Sequence, residues 1–122
     1  MTQDRPILLV ENNPREVQLL KEILENEGFI VDTVVSGGAA FEMIKDRRYA
    51  SAILDFALPD MKGDEVAKTI KLKNPGMKVI LLTGFRSAID PKRLEGFMYV
   101  FDKPADPSKI IEALRIITRD FN

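Results

Sequence analysis

The sequence contains no cysteine and no histidine. Without cysteine the chain has no disulfide, no thiolate zinc site and no cysteine nucleophile. Without histidine it has no Ser-His-Asp triad, no imidazole-bound metal and no phosphohistidine of its own. Any metal ion must therefore be bound by oxygen atoms, which favours a hard ion such as Mg²⁺.

Long hydrophobic runs and an excess of one charge are also lacking. No apolar run approaches the ~18 residues that are needed to span a bilayer, and residues 1–6 do not form a secretory signal. With 18 basic and 19 acidic residues the net charge is −1, so the sequence indicates neither nucleic acid nor a membrane as a partner. We expect a cytoplasmic protein whose residues 1–122 form a single domain, because this length supports one hydrophobic core.

What the sequence does contain is an alternation of short apolar runs and amphipathic stretches. The apolar runs cover residues 6–10, 29–35, 51–55, 78–82 and 97–101, and their length is typical of buried strands. They show no alternation of apolar and polar residues, as expected for strands that are covered on both faces. The pattern therefore predicts an α/β fold with a parallel sheet between two layers of helices.

Helix starts are marked by capping residues. Asn13 is a predicted N-cap followed by Pro14 at the first helical position, and Asp106 and Pro107 repeat this arrangement before the last helix. Residues 36–38 (Ser-Gly-Gly) are predicted to form a turn, and no glycine-rich phosphate-binding motif accompanies them. Residues 84–95 are the least clear part of the pattern, and within them residues 91–95 could form barely one helical turn.

Polar residues follow the predicted strands where each one ends. Glu11 and Asn12 follow the first strand, Asp55 closes the third, Thr83 closes the fourth and Lys103 follows the fifth. The carboxyl ends of parallel strands meet at one edge of the sheet, where binding sites form. We therefore expect these five side chains to lie close together.

This combination suits phosphoryl transfer. A carboxylate can attack phosphorus, a hard metal ion can offset the charge on the phosphoryl oxygens, and a lysine and a hydroxyl can bind those oxygens. Each residue also has a simpler interpretation: Asp55 as a turn residue, Thr83 as a strand former and Lys103 as a surface charge. Their position at one shared edge favours the chemical interpretation.

Four motifs in this order resemble those of response-regulator receiver domains, and the resemblance covers essentially the whole chain. The motifs are Glu11-Asn12, Asp55-x-x-x-Pro59-x-x-x-Gly63, Thr83-Gly84 and Lys103-Pro104. Each motif alone has low specificity, but the four together at this spacing are highly specific. The resemblance implies a doubly wound, flavodoxin-like receiver fold with five parallel strands in the order 2-1-3-4-5.

The resemblance also implies roles for individual residues. Asp55 would be the phosphoacceptor, Thr83 the hydroxyl that follows the phosphoryl group, and Lys103 the lysine that pairs with it. In that family the peptide bond that corresponds to Lys103-Pro104 is often cis. Gly84 would leave the approach to the phosphorylation site open. The implied Mg²⁺ ligands are the side chains of Glu11, Asn12 and Asp55 and the backbone carbonyl of Ala57.

The resemblance further implies partners. A sensor histidine kinase or a phosphotransfer protein would supply the phosphoryl group, and a downstream effector protein or domain would read the result. Apart from its own phosphoryl transfer and dephosphorylation, such a domain would catalyse no reaction.

Three features depart from the family pattern. Asn12 stands where a second acid is usual, so we expect weaker Mg²⁺ binding. Val100 stands where a switching aromatic residue usually lies, three residues before Lys103. The stretch from Thr83 to Lys103 is about two residues shorter than usual, which predicts a truncated fourth helix.

Two other functions stay open on the sequence alone. The first is a pseudo-receiver, a module of the same fold that binds partners without chemistry at Asp55; Asn12 and Val100 favour it. The second is a small flavodoxin-like or nucleotide-binding enzyme. The loop over residues 11–16 argues against that, because it is charged and lacks the hydroxyl groups that suit a flavin phosphate.

Overall fold

Strands and helices alternate along the chain in the computed structural model, which describes residues 5–119. The strands are β1 (Ile7–Val10), β2 (Val31–Val34), β3 (Ser51–Asp55), β4 (Lys78–Thr83) and β5 (Tyr99–Asp102). The helices are α1 (Pro14–Asn26), α2 (Gly37–Asp46), α3 (Gly63–Lys73) and α4 (Pro107–Arg119). Between β4 and β5 lie two short 3₁₀ turns, Arg86–Ala88 and Pro91–Leu94.

The five strands form one parallel sheet in the order β2-β1-β3-β4-β5. This confirms the predicted fold class and strand order. The two 3₁₀ turns confirm that the helix predicted between β4 and β5 is truncated. The strand order reverses at β1, which pairs with β2 on one side and β3 on the other. The carboxyl ends of β1 and β3 therefore lie side by side at the position where open α/β sheets bind ligands.

Three strands are shorter than the apolar runs that predicted them, and β1 begins one residue later than predicted. β2 and β5 begin two residues later than predicted, because Phe29 N–H donates to helix α1 and Phe97 N–H donates to the 3₁₀ turn Pro91–Leu94. Phe29 N–H donates to Leu24 O at 3.1 Å and Phe97 N–H donates to Leu94 O at 3.2 Å. Local hydrogen bonds thus replace strand pairing at these two positions.

The core consists of two apolar layers, one on each face of the sheet. Successive residues of β1 alternate between them: Leu8 and Val10 belong to one layer, Ile7 and Leu9 to the other. All four side chains are at most 1% exposed, and each contributes about 1.5–3 kcal/mol by burial. Double-sided burial explains why the strands lack polar alternation. None of the helices described within residues 5–119 is long and apolar enough to cross a membrane.

The predicted helix caps are present. Asn13 Oδ1 accepts hydrogen bonds from the N–H groups of Arg15 and Glu16 at 3.0 and 3.1 Å. Asp106 Oδ1 accepts from Ser108 N–H at 2.9 Å, at the start of α4. These three bonds satisfy amides that have no partner within the helix.

The prediction of a turn at residues 36–38 was wrong in part. Gly37 and Gly38 are the first two residues of α2, and Ser36 is its N-cap. The Asp60 carboxylate accepts hydrogen bonds from the N–H groups of Gly37 and Gly38 at 2.9 and 2.8 Å, and these bonds lower the pKa of Asp60. A Cβ at Gly37 would lie 2.8 Å from Met61 Sδ, so the loop after β3 packs directly against the start of α2.

Candidate functional site

Asp55 is the last residue of β3, and its side chain is 12% exposed. The loop that follows closes on the end of β3: Gly63 N–H, at the start of α3, donates to Phe56 O at 2.7 Å. A Cβ at Gly63 would lie 2.7 Å from the Asp55 carbonyl oxygen, so only glycine permits this close approach. Ala57 is an exposed residue of the same loop and pairs with Lys62 in an isolated bridge. The start of α3 thus fixes the backbone that directly follows Asp55.

Lys103 lies among three carboxylates. Its Nζ atom is 2.6 Å from Glu16 Oε1, 2.9 Å from Glu11 Oε1 and 3.6 Å from Asp55 Oδ1. Burial acts to lower the pKa of Lys103, but hydrogen bonds to Glu16 and Glu11 and the charge of Asp55 outweigh it and raise the pKa. The ammonium is therefore held in its charged form at the edge of the sheet.

Glu11 is the buried member of this group. Its side chain is 5% exposed; Oε1 accepts from the Lys103 ammonium, and Oε2 accepts from Asn13 N–H at 3.0 Å. Both carboxylate oxygens are therefore anchored, one by a side chain and one by the backbone that begins α1. Asn12, the next residue, is exposed.

Thr83 is the last residue of β4 and is fully buried. Its Oγ1 accepts a hydrogen bond from Phe85 N–H at 3.0 Å, while its carbonyl accepts from Lys103 N–H at 2.9 Å. The Lys103–Pro104 peptide bond is cis. Gly84 is exposed, and a Cβ there would meet no atom within 4 Å. The Thr83 hydroxyl thus bonds to the loop after β4, and that loop has open space at Gly84.

The side chains of β5 alternate as expected for a strand. Val100 packs against one core layer, whereas Tyr99 and Phe101 pack against the other. Their two rings stack at a centroid distance of 5.9 Å. Position 100 therefore has no aromatic ring, and the neighbouring rings lie on the opposite face of the sheet. Arg86 Nη1 donates to Val100 O at 3.3 Å and so joins the loop after β4 to this strand.

The structure brings the predicted residues to the same edge. Glu11 and Asp55 both lie beside Lys103, and Thr83 is bonded to the Lys103 backbone. The sequence did not assign Glu16 to the site, although it lies at the third position of α1. Helical side chains point toward the N-terminus of their helix, and α1 begins at this edge of the sheet. A long side chain in the first turn of α1 is therefore expected to reach the site, and this was the signal that could have identified Glu16.

The available metal ligands are oxygen atoms, of which two come from carboxylates. Within residues 5–119, no three Asp, Glu, His or Cys side chains form a cluster with metal-ligand spacing. Glu11 and Asp55 both lie beside the Lys103 ammonium, and Asn12 and Ala57, which are exposed, would supply an amide oxygen and a backbone carbonyl. Mg²⁺ is usually bound by one or two carboxylates and keeps several waters, so this set of donors fits Mg²⁺.

Comparison of sequences places the chain among known proteins. The profile of the response regulator receiver domain matches residues 7–115. The transcriptional regulatory protein SrrA of Staphylococcus aureus is 31% identical over 117 residues, which are 93% of this chain and 47% of SrrA. The chain therefore spans about half the length of this relative.

Comparison of structures gives the same family. A CheY-like response regulator receiver domain protein from Methanospirillum hungatei has a TM-score of 0.88 at 26% identity, covering 97% of this chain and 96% of its own. The response regulator protein TrrA from Thermotoga maritima, solved in complex with Mg²⁺-BeF, has a TM-score of 0.85 at 29% identity. That superposition covers 93% of this chain and 98% of TrrA.

Proposed function

The chain belongs to the response regulator receiver domains of two-component systems, and from this premise we propose that Asp55 accepts a phosphoryl group. The observation that carries the proposal is the position of the Asp55 carboxylate, 3.6 Å from the Lys103 ammonium at the end of β3. The donor would be the phosphohistidine of a sensor histidine kinase or of a phosphotransfer protein, because this chain has no histidine.

The proposed reaction forms one bond to phosphorus and breaks one. An Asp55 carboxylate oxygen attacks the phosphorus, the phosphorus–nitrogen bond to the donor imidazole breaks, and that nitrogen keeps the electron pair and takes a proton. The attack needs no general base, since a carboxylate has no proton to remove. The chain would catalyse only this transfer and the later loss of the phosphoryl group.

Two residues would bind the transferred group. The Lys103 ammonium would move from its carboxylate partners to a phosphoryl oxygen and offset its charge. The Thr83 hydroxyl now accepts from Phe85 N–H; it would rotate and donate to a second phosphoryl oxygen, because a hydroxyl can do either.

Mg²⁺ would be held by Glu11, Asn12, Asp55 and the Ala57 carbonyl. When bound, the ion would offset the negative charge that develops on the phosphoryl oxygens. Asn12 supplies an oxygen ligand but no negative charge, so we propose that this site binds Mg²⁺ more weakly than a site with an acid at that position. TrrA, which was solved with Mg²⁺-BeF, supports the assignment of the ion.

Incubation with acetyl phosphate and Mg²⁺ tests the proposal. We expect the intact mass to rise by one phosphoryl group, and we expect alkali to remove the adduct because it is an acyl phosphate. Omission of Mg²⁺ should prevent the reaction. No mass increase at saturating Mg²⁺ would favour the pseudo-receiver, which the neutral Asn12 and the carboxylate-bound Lys103 also support.

The phosphorylated state would be read at the loop after β4. Rotation of Thr83 would remove the acceptor of Phe85 N–H, and the Phe85 side chain is already 60% exposed. Val100 is too short and too stiff at χ1 to swing into the vacated space. We therefore propose that a downstream effector protein or domain recognises residues 84–95.

Beryllofluoride, a phosphoryl mimic, tests this output. Amide NMR shifts with and without the mimic and Mg²⁺ should differ strongly at residues 84–95, above all at Phe85, whereas β5 should change little. Strong changes in the ring signals of Tyr99 or Phe101 would instead show that the signal leaves through the opposite face of the sheet.

Other expectations stay predictions at this stage. These are a cytoplasmic location, the absence of direct contact with nucleic acid or membrane, and a single domain over residues 1–122. SrrA is a transcriptional regulatory protein about twice as long as this chain. An effector that acts on transcription is therefore one form the downstream partner could take.

A further inference from the structure

The shortest contact of Lys103 is one that the proposed reaction does not use. Glu16 Oε1 lies 2.6 Å from the Lys103 ammonium, closer than Glu11 at 2.9 Å and much closer than Asp55 at 3.6 Å. The last distance exceeds the range of a hydrogen bond. In this structure Lys103 is therefore bonded to Glu16 and Glu11 and only faces Asp55.

The two carboxylates that bind Lys103 differ in their freedom to leave it. The Glu11 side chain is 5% exposed and is also bonded to the Asn13 backbone. The Glu16 side chain is 48% exposed, and its backbone is fixed by the Asn13 cap at 3.1 Å. Glu16 can therefore swing into water when Lys103 leaves, whereas Glu11 cannot.

We propose that Glu16 is a positioning residue that holds Lys103 in the resting domain and competes with the phosphoryl oxygens for its ammonium. The proposal rests on the proposed function and concerns the rate of that reaction. The ammonium donates a hydrogen bond to Glu11 and forms an ion pair with Glu16, and the exposed Glu16 contact is the one that breaks when Lys103 moves toward Asp55. Glu16 thereby slows phosphorylation and favours the resting state.

Charge acts in the same direction as the contact. Glu16 carries a negative charge beside the place where an anionic phosphoryl donor must approach, and two like charges repel. Removing this charge while keeping the shape should therefore increase the rate of phosphorylation. The expected increase for Glu16→Gln is about two- to fivefold, the effect of one partly exposed ion pair.

The test compares rates of phosphorylation by acetyl phosphate at saturating Mg²⁺. Glu16→Gln should react about two- to fivefold faster than the wild type. Glu25→Gln is the matched control, since it removes the same charge from an exposed position of the same helix, and it should react at the wild-type rate. Equal rates for the wild type and Glu16→Gln would overturn the proposal and leave the proposed function intact.

Glu16→Asp separates the contact from the charge. The shorter side chain keeps the negative charge but does not reach Lys103, so this variant should react faster than the wild type. A wild-type rate for Glu16→Asp would show that overall charge and not the contact with Lys103 matters, which would overturn the proposal.

A second measurement needs no phosphoryl donor. The hydrogens of an ion-paired ammonium exchange slowly with water, and ¹⁵N NMR of Lys103 Nζ measures the rate. These hydrogens should exchange faster in Glu16→Gln than in the wild type or in Glu25→Gln. Unchanged exchange would overturn the proposal by itself. If the ¹⁵N result is as expected but neither the wild type nor Glu16→Gln takes a phosphoryl group, the proposed function fails, and with it the effect of Glu16 on a rate.

Discussion

Asp55→Asn should abolish the mass increase that acetyl phosphate and Mg²⁺ produce in the wild type. The amide is a poor nucleophile and would not form the acyl phosphate, and the substitution also removes one negative charge from the proposed Mg²⁺ site. Because Asp55 is 12% exposed and Asn has nearly the same shape, the variant should keep the fold. Intact mass spectrometry measures the loss, and circular dichroism checks the fold.

Asp60→Asn is the matched control for that experiment. Asp60 is an exposed carboxylate on the loop after β3, where it accepts bonds from Gly37 and Gly38 N–H. It lies outside the group around Lys103, so this variant should still gain one phosphoryl group. A mass increase that persists in Asp55→Asn would show that another side chain is the acceptor.

Asn12→Asp should tighten Mg²⁺ binding by about tenfold or more. The substitution places a second acid next to Glu11, and an added charge beside a divalent ion in a partly exposed site is worth ~1.4 kcal/mol or above. Asn12 is exposed, so the new carboxylate costs little desolvation. Metal titration followed by calorimetry or amide NMR gives the two affinities.

Two further variants define that result. Glu11→Gln should weaken Mg²⁺ binding, because it removes the charge of one of the two carboxylates assigned to the ion, Glu11 and Asp55. Asn26→Asp adds the same charge at the far end of α1 and should leave the affinity unchanged. If Asn12→Asp binds Mg²⁺ no better than the wild type, then Asn12 does not face the ion and the assigned set of ligands is wrong.

The edge that carries the site was predictable because it follows from strand polarity. Asp55, Thr83 and Lys103 each stand at or directly after an apolar run, and parallel strands carry such positions to one side. The helix caps at Asn13 and Asp106 were predictable for a similar reason. Their side-chain oxygens bond to amides two or three residues further along the chain, so the local sequence contains both partners.

Contacts between distant parts of the chain were not predictable. Asp60 caps α2 from a loop 22 residues away from Gly38, so residues 36–38 looked like a free turn. Glu16 lies in α1, directly after β1, whereas its partner Lys103 follows β5 at the other end of the strand order. Such pairs depend on how the helices pack against the sheet. The spacing of residues within one segment does not contain that information.

The first residues of β2 and β5 were predicted wrongly for a related reason. Phe29 and Phe97 extend apolar runs, yet their N–H groups donate to Leu24 in α1 and to Leu94 in the preceding 3₁₀ turn. Apolar character predicts burial equally well for a strand and for the turn that leads into it. Only the hydrogen-bond partners distinguish the two cases.

The most direct test of the account is to locate the phosphoryl group on the chain. Borohydride reduces an aspartyl phosphate to homoserine, so reduction after reaction with acetyl phosphate and Mg²⁺, followed by digestion and peptide mass spectrometry, identifies the acceptor. We expect homoserine at position 55 and at no other acidic residue. Reduction at Glu11, Asp60 or Asp64, or no reduced residue at all, would contradict it.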